Sequence, residues 1–316
     1  MRIASQSMQR VPYVLQTDYM DIAASSALSI PDLAAHLMRT ASAQELQPPV
    51  ALDIRSASPR ARSAVEGLRQ AIGAVSESLG PPTLYGGSVT GPTIRWRTPS
   101  HTVILDSLGV AEGCLQLSVR RTEALELFEA DRFRRAAGSD TGDLPFLWQW
   151  QPIPIAPPPP SVPVAPDWTS LRASLEALLR AWCDQLEAQL GQDDAGFDIV
   201  VDSDGRPRRL VVLVSPADNL TVLVDDRDGA DGNEHHAEMT GRGWQDFIPL
   251  HRWWGAYFER TSAGAAAAVH LIMTELRARG ARAPHDLRLA DVGTGDGNGL
   301  LALPGLGVAR TLARPH

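Results

Sequence analysis

A proline-rich run, QPIPIAPPPPSVPVAP at residues 151–166, holds eight prolines in sixteen positions. Proline fixes φ and removes the backbone donor, so neither a helix nor a central strand can pass through such a run. The chain must therefore fold on either side of it. The run itself is predicted to be an extended, semi-rigid polyproline II spacer rising about 3.1 Å per residue. A segment of this kind can also be a ligand for an aromatic groove. The 316-residue length agrees with modules of about 150 residues. The expected division is a first module at 1–150, the linker at 151–166 and a second module at 167–316.

The two sides read alike. In the first, Ser58 and Pro59 supply a cap and a first-turn proline. Val65, Leu68, Ile72, Val75 and Leu79 then fall on one helical face, and Gly80 to Pro82 stop the helix. Strand patterns follow at 93–97, 102–108 and 114–119, with Ile94 and Trp96 sharing a side. Thr122 opens a second helix through Leu125, Phe128 and Phe133, and 144–150 is an aromatic-rich strand with Trp148 and Trp150 on one face. After the linker, Asp167 caps a helix striped by Trp168, Leu171, Leu175, Leu178, Trp182, Leu186 and Leu190. Strands at 197–201, 209–214 and 220–224 come next, with Asp204-Gly205 as the first turn and Pro216 opening the second. An acidic loop at 225–238, an aromatic segment at 243–258, a helix at 262–279 and a strand at 286–292 complete the chain. The expectation is an α+β protein of two modules, each a small antiparallel sheet flanked by helices in the order helix, three strands, helix. The repeated order raises an internal duplication packed as a pseudo-dimer, with a homodimer as the alternative.

The net charge is −8, and arginine is the only cationic side chain because the sequence contains no lysine. That balance argues against phosphate-driven nucleic-acid binding and against an anionic membrane surface. Cys114 and Cys183 form no CxxC pair and sit in apolar patterns, as free buried thiols do. No stretch approaches the roughly 18 apolar residues of a membrane span, and no signal-peptide core opens the chain, so the cytoplasm is the expected location.

Two motifs imitate enzymes. LRLADVGTGDGNG at 287–299 follows the strand-then-glycine pattern of S-adenosylmethionine-dependent methyltransferases, where glycines let the backbone approach the cofactor. Only 17 residues follow Gly299 and none is acidic, which leaves no room for that fold; a flexible loop is expected. The acidic loop carries Asp225, Asp226, Asp228, Asp231, Glu234, His235, His236 and Glu238, yet calcium-loop spacing fails because Asp231 stands where glycine is needed. No nucleophile–base pair emerges from the scattered histidines. No catalytic residue, cofactor or metal is therefore expected. The candidate partner-binding residues are Trp244, Phe247, Trp253, Trp254 and Tyr257, part of the densest aromatic cluster. Adjacent Trp253 and Trp254 cannot both face a core.

In the second half, a Trp-led helix, three short strands, Gly243-Trp244, Trp253-Trp254, an Ala-rich helix ending at Gly280 and Pro284-His285-Asp286-Leu287 follow one another. This order, over residues 167–310, resembles the peptide-binding chaperone superfamily that groups type III secretion chaperones with YbjN-like proteins. The resemblance implies a non-enzymatic fold of helix, strands and helix that binds extended segments of partner proteins. The first half, through Gly91 to Arg97, resembles an uncharacterised bacterial domain. The expected function is a chaperone-like adaptor linked to secretion or a toxin. A toxin-neutralising immunity protein is a second reading. An enzyme, methyltransferase or metal-dependent, is a reading of a different class. Under the adaptor reading residues 293–316 are dispensable for folding.

Overall fold

The computed structural model describes residues 28–41, 50–53, 64–107, 114–136, 141–156, 159–203, 206–215, 219–227, 229, 232–295 and 297–310. The Ser58-Pro59 cap, the turns at Asp204-Gly205 and Pro216, and Asp228, Asp231 and Asp296 lie outside them. The first half runs α1 (Ile30–Thr40), β1 (Val50–Asp53), α2 (Ala64–Leu79), β2 (Tyr85–Ser88), β3 (Gly91–Arg97), β4 (His101–Asp106), β5 (Cys114–Arg121), α3 (Thr122–Arg135) and β6 (Trp148–Gln151). The second runs α4 (Trp168–Leu190), β7 (Ala195–Ser203), β8 (Arg206–Val214), β9 (Leu220–Asp225), α5 (Asn233–Gly241), β10 (Asp246–Ile248), β11 (Trp253–Phe258), α6 (Ser262–Ala278), β12 (Leu287–Thr294), β13 (Leu300–Ala302) and β14 (Ala309–Arg310).

The class is α+β, but the halves do not repeat one order. Four strands lie between α2 and α3; three lie between α4 and α5, and two more follow before α6. Between α2 and α3 the unforeseen strand is β2, whose sequence YGGS lacks alternation and β-branched residues. The strands form two seven-stranded sheets, ordered β1-β5-β4-β3-β2-β6-β13 and β10-β11-β9-β8-β7-β12-β14, so that β13 of the second half closes the sheet of the first. Neighbours pair antiparallel except β12 with β14, which run parallel.

Alternation decides what each face of the first sheet buries. Ile94, Trp96, Val103, Leu105, Leu117 and Val119 join α1 and α2 in one core. On the other face α3 docks through a buried ion pair. Both terminal guanidinium nitrogens of Arg95 donate to the Glu129 carboxylate, at 2.9 and 2.6 Å, and Arg95 lies over the Phe146 ring. Such a pair holds register more than it stabilises, because desolvation offsets much of the attraction.

The division at the proline-rich run does not separate two bodies. Trp148, Leu147 and Phe146 of the first half share one core cluster with α4, α6 and the second sheet. Helix α4 also reaches the first sheet through two glutamines. Gln189 takes the N–H of Gly86 and donates to its carbonyl, both at 2.9 Å. Gln185 donates to the Ser88 carbonyl and accepts from the Trp148 indole. Gly87 makes that approach possible, and Gly86 lets β6 close on β2. A Cβ on Gly86 would lie 2.7 Å from the Trp148 carbonyl, and one on Gly87 would collide with the Gln185 side chain.

The glycine-rich stretch after β12 is a crossing between the sheets. Strand β12 pairs with β7 in the second sheet, and six residues later β13 pairs with β6 in the first. Gly299 sits at the crossing with φ +76°, and a Cβ there would lie 2.3 Å from the Gln151 carbonyl oxygen. The Trp150 indole donates to the Asn298 carbonyl beside it. Residues 301–308 are then buried throughout. The adaptor reading's expectation that 293–316 are dispensable for folding does not fit this burial.

Candidate partner-binding surface

The aromatic segment folds as the β10–β11 hairpin, paired Asp246 to Gly255, Phe247 to Trp254 and Ile248 to Trp253. Strand β11 also pairs along its length with β9. Two-residue alternation then sorts the aromatics. Trp254 and Ala256 point into the core, while Trp253 and Tyr257 point to the opposite face. Trp253 and Trp254 thus part as their adjacency requires.

Of the five candidates, two are withdrawn from any partner. Trp244 and Trp254 are each 1% exposed. Both are anchored by carboxylates that the sequence reading did not single out as buried. Trp254 donates to Asp226 at 3.0 Å, and Trp244 donates to Glu275 at 3.1 Å. An indole N–H in a core needs an acceptor, and each carboxylate supplies one. Phe247 is partly buried against Trp254, with ring centroids 5.2 Å apart. Trp253 and Tyr257 remain on the surface.

Around them lies the outer face of the second sheet. Val200, Val211, Leu213, Thr221 and Leu223 are partly exposed, whereas their inward neighbours Ile199, Val212 and Val222 are fully buried. That contrast marks a face without a covering helix layer. Two glycines flatten it. Leu213 leans over Gly196, and the Tyr257 ring lies over Gly255 beside Leu223. The edges are less inviting. Strand β10 has three residues and runs into Pro249, and β14 has two. Short edges resist strand addition.

A buried carboxylate sits on the outer side of this sheet. Asp198 is 5% exposed, with Arg209 at 3.2 Å, and Arg209 also bridges to Asp291 at 2.8 Å. Burial pushes the Asp198 carboxyl up to about 6; Arg209 opposes the shift and Asp291 adds to it. The folded state therefore holds this proton more tightly than the unfolded chain, whose aspartates titrate near 4. Stability from this group is full below about pH 4 and is lost as pH rises to about 6. Denaturant midpoints measured across that window should fall with pH in the native chain, and Asp198→Asn should flatten the slope.

The acidic stretch is not all loop. From Asn233 it forms α5, a helix with only Met239 buried. His235 Nε2 lies 2.7 Å from the Asp226 carboxylate that also accepts from Trp254, and His236 packs against the Trp254 ring at 4.7 Å. Burial disfavours charge at Asp225, but the Arg227 guanidinium and backbone N–H bound to it hold its carboxyl below the usual range. Beyond these groups, Arg279 donates to Glu275 at 2.7 Å, and Arg242 pairs with both Glu275 and Glu238. Asp225, Asp226, Arg227, Arg242, Glu275 and Arg279 line a polar cleft of about 420 Å³. Charges of both signs alternate around it and neutralise one another. Among the described residues no three His, Cys, Asp or Glu side chains converge as a metal site would require. The Cys183 thiol, raised to about 11 chiefly by burial, stays protonated in α4.

Comparison with protein-family models, with curated proteins and with solved structures finds no match. Among the described residues no helix is long and apolar enough to cross a membrane.

Proposed function

We propose that this protein is a non-enzymatic, chaperone-like adaptor that holds an extended segment of another protein on the outer face of its second sheet. The observation that carries the reading is that face itself. It is flat, largely apolar and partly exposed, with Trp253 and Tyr257 at one side of Leu223 and Leu213. Apolar surface of this kind, with aromatic anchors, suits a partner's alternate side chains. The order of elements from the Trp-led helix to Pro284-His285 supports the same reading through its resemblance to peptide-binding chaperones. A link to secretion or to a toxin belongs to the proposal, because it follows from that resemblance.

Affinity purification of the tagged chain, followed by mass spectrometry, tests it. The comparison variant is Trp253→Ala with Tyr257→Ala, which spares the buried Trp254. A dominant captured protein whose yield falls about tenfold or more in the folded variant is the expected result, matching a loss of at least 1.4 kcal/mol. Undiminished capture by the variant would remove the face from the account.

A further inference from the structure

The proline-rich run is more ordered than a spacer needs to be. From Pro159 onward its burial repeats every three residues, the period of a polyproline II helix. Pro159 and Val162 are partly buried and Ala165 is buried. Pro160, Pro163 and Pro166 are exposed, as are Ser161, Val164 and Asp167. The inward ridge is pinned at the same interval. The Val162 N–H donates to the Pro304 carbonyl at 2.9 Å, and the Ala165 N–H donates to the Gly307 carbonyl at 2.8 Å. Both partners belong to the buried C-terminal segment, so the ridge is held against the core.

We infer that residues 159–166 are a pre-formed polyproline II ligand, and that the partner is a protein groove lined by tryptophan and tyrosine. The chemistry of the exposed ridge sets that class. Pro160, Pro163 and Pro166 stand in register and carry no N–H, so they offer only flat rings and carbonyl acceptors. A complementary surface must supply flat apolar faces together with N–H or O–H donors. Indole and phenol side chains supply both. Because the segment is already fixed in the extended conformation, binding forfeits little chain entropy. Beside Pro160 lies a cleft of about 320 Å³, lined by Pro159, Leu127 and Phe146, with the exposed Glu123 and Glu126 carboxylates at its border. It gives one partner ring a seat and its donor an acceptor. Leu127 is 62% exposed there, and Ile153 and Ile155, earlier in the run, are exposed too.

The test uses the full chain and an array of purified SH3 and WW domains, read by calorimetry. Two variants accompany it: a triple change, Pro160→Ala with Pro163→Ala and Pro166→Ala, and Leu127→Ser in the cleft. All four positions are exposed, so circular dichroism should show an unchanged fold. The expected result is binding by at least one domain, weakened about tenfold or more by the triple change. Leu127→Ser should weaken it too, while Trp253→Ala with Tyr257→Ala should leave it intact. If no domain in the array binds, or if the triple variant binds as well as the native chain, the inference is wrong.

Discussion

Gly299→Ala is expected to destabilise the whole protein by about 3 kcal/mol or more. An alanine at φ +76° costs about 1–2 kcal/mol in backbone strain alone. Its Cβ would also lie 2.3 Å from the Gln151 carbonyl oxygen and 2.8 Å from the Trp150 indole nitrogen. The Gln151 carbonyl belongs to β6 and cannot swing away as a flexible side chain would. The strained crossing must then lift β13 from β6, exposing Leu301 and Leu303, which are at most 5% exposed in the native chain. Gly297→Ala is the matched control. It has φ +64° but nothing within 4 Å of its Cβ, so only the strain of about 1–2 kcal/mol applies. Urea unfolding of both variants checks the difference. Equal losses would mean that the crossing is not tightly packed.

Glu275→Ala is expected to cost about 3–5 kcal/mol, the range for breaking a buried pair by removing one partner. Glu275 is 1% exposed and accepts from Trp244 at 3.1 Å and from Arg279 at 2.7 Å. Its loss leaves the Trp244 N–H without that acceptor and Arg279, 8% exposed, without that carboxylate. Glu275→Gln keeps an acceptor oxygen and most of the shape. It should cost roughly 1–3 kcal/mol, the range for a disturbed buried polar contact. Thermal unfolding of the two variants orders them. An alanine variant as stable as the native chain would show that the pairs bring no net stability.

How much of this was legible in the sequence depends on which force shaped each part. The long helix α4 and strands β7 to β9 follow from apolar periodicity, because burial of one face made them. Asp167 as the α4 cap is visible both as a residue type and in its bond to the Ser170 N–H. Strand β2 left no periodic trace, since Gly87 answers the approach of α4 and Gly86 the close approach of β6. Helix α5 was hidden for a similar reason: with only Met239 buried it has no apolar stripe. The methyltransferase-like glycines were readable as glycines, but the cause of Gly299 is a neighbouring strand distant in sequence.

The candidate surface was half legible. Alternation on β11 separates Trp253 from Trp254, and that much needs only adjacency. Which of the two faces outward depends on β9 and on Asp226, neither of which the aromatic segment reveals. Trp244 looked like an anchor because its acceptor, Glu275, lies 31 residues away. A signal did exist. Leu271, Glu275 and Arg279 stand at four-residue steps, so an oppositely charged pair occupies the phase of a buried leucine.

The claim on which the rest depends is that the two halves are one body, tied by the glutamines of α4, the pinned proline ridge and the crossing at Gly299. Differential scanning calorimetry of the intact chain tests it most directly. A single transition whose calorimetric and van't Hoff enthalpies agree is the expected result. Two resolved transitions, with the first half melting apart from the second, would contradict it.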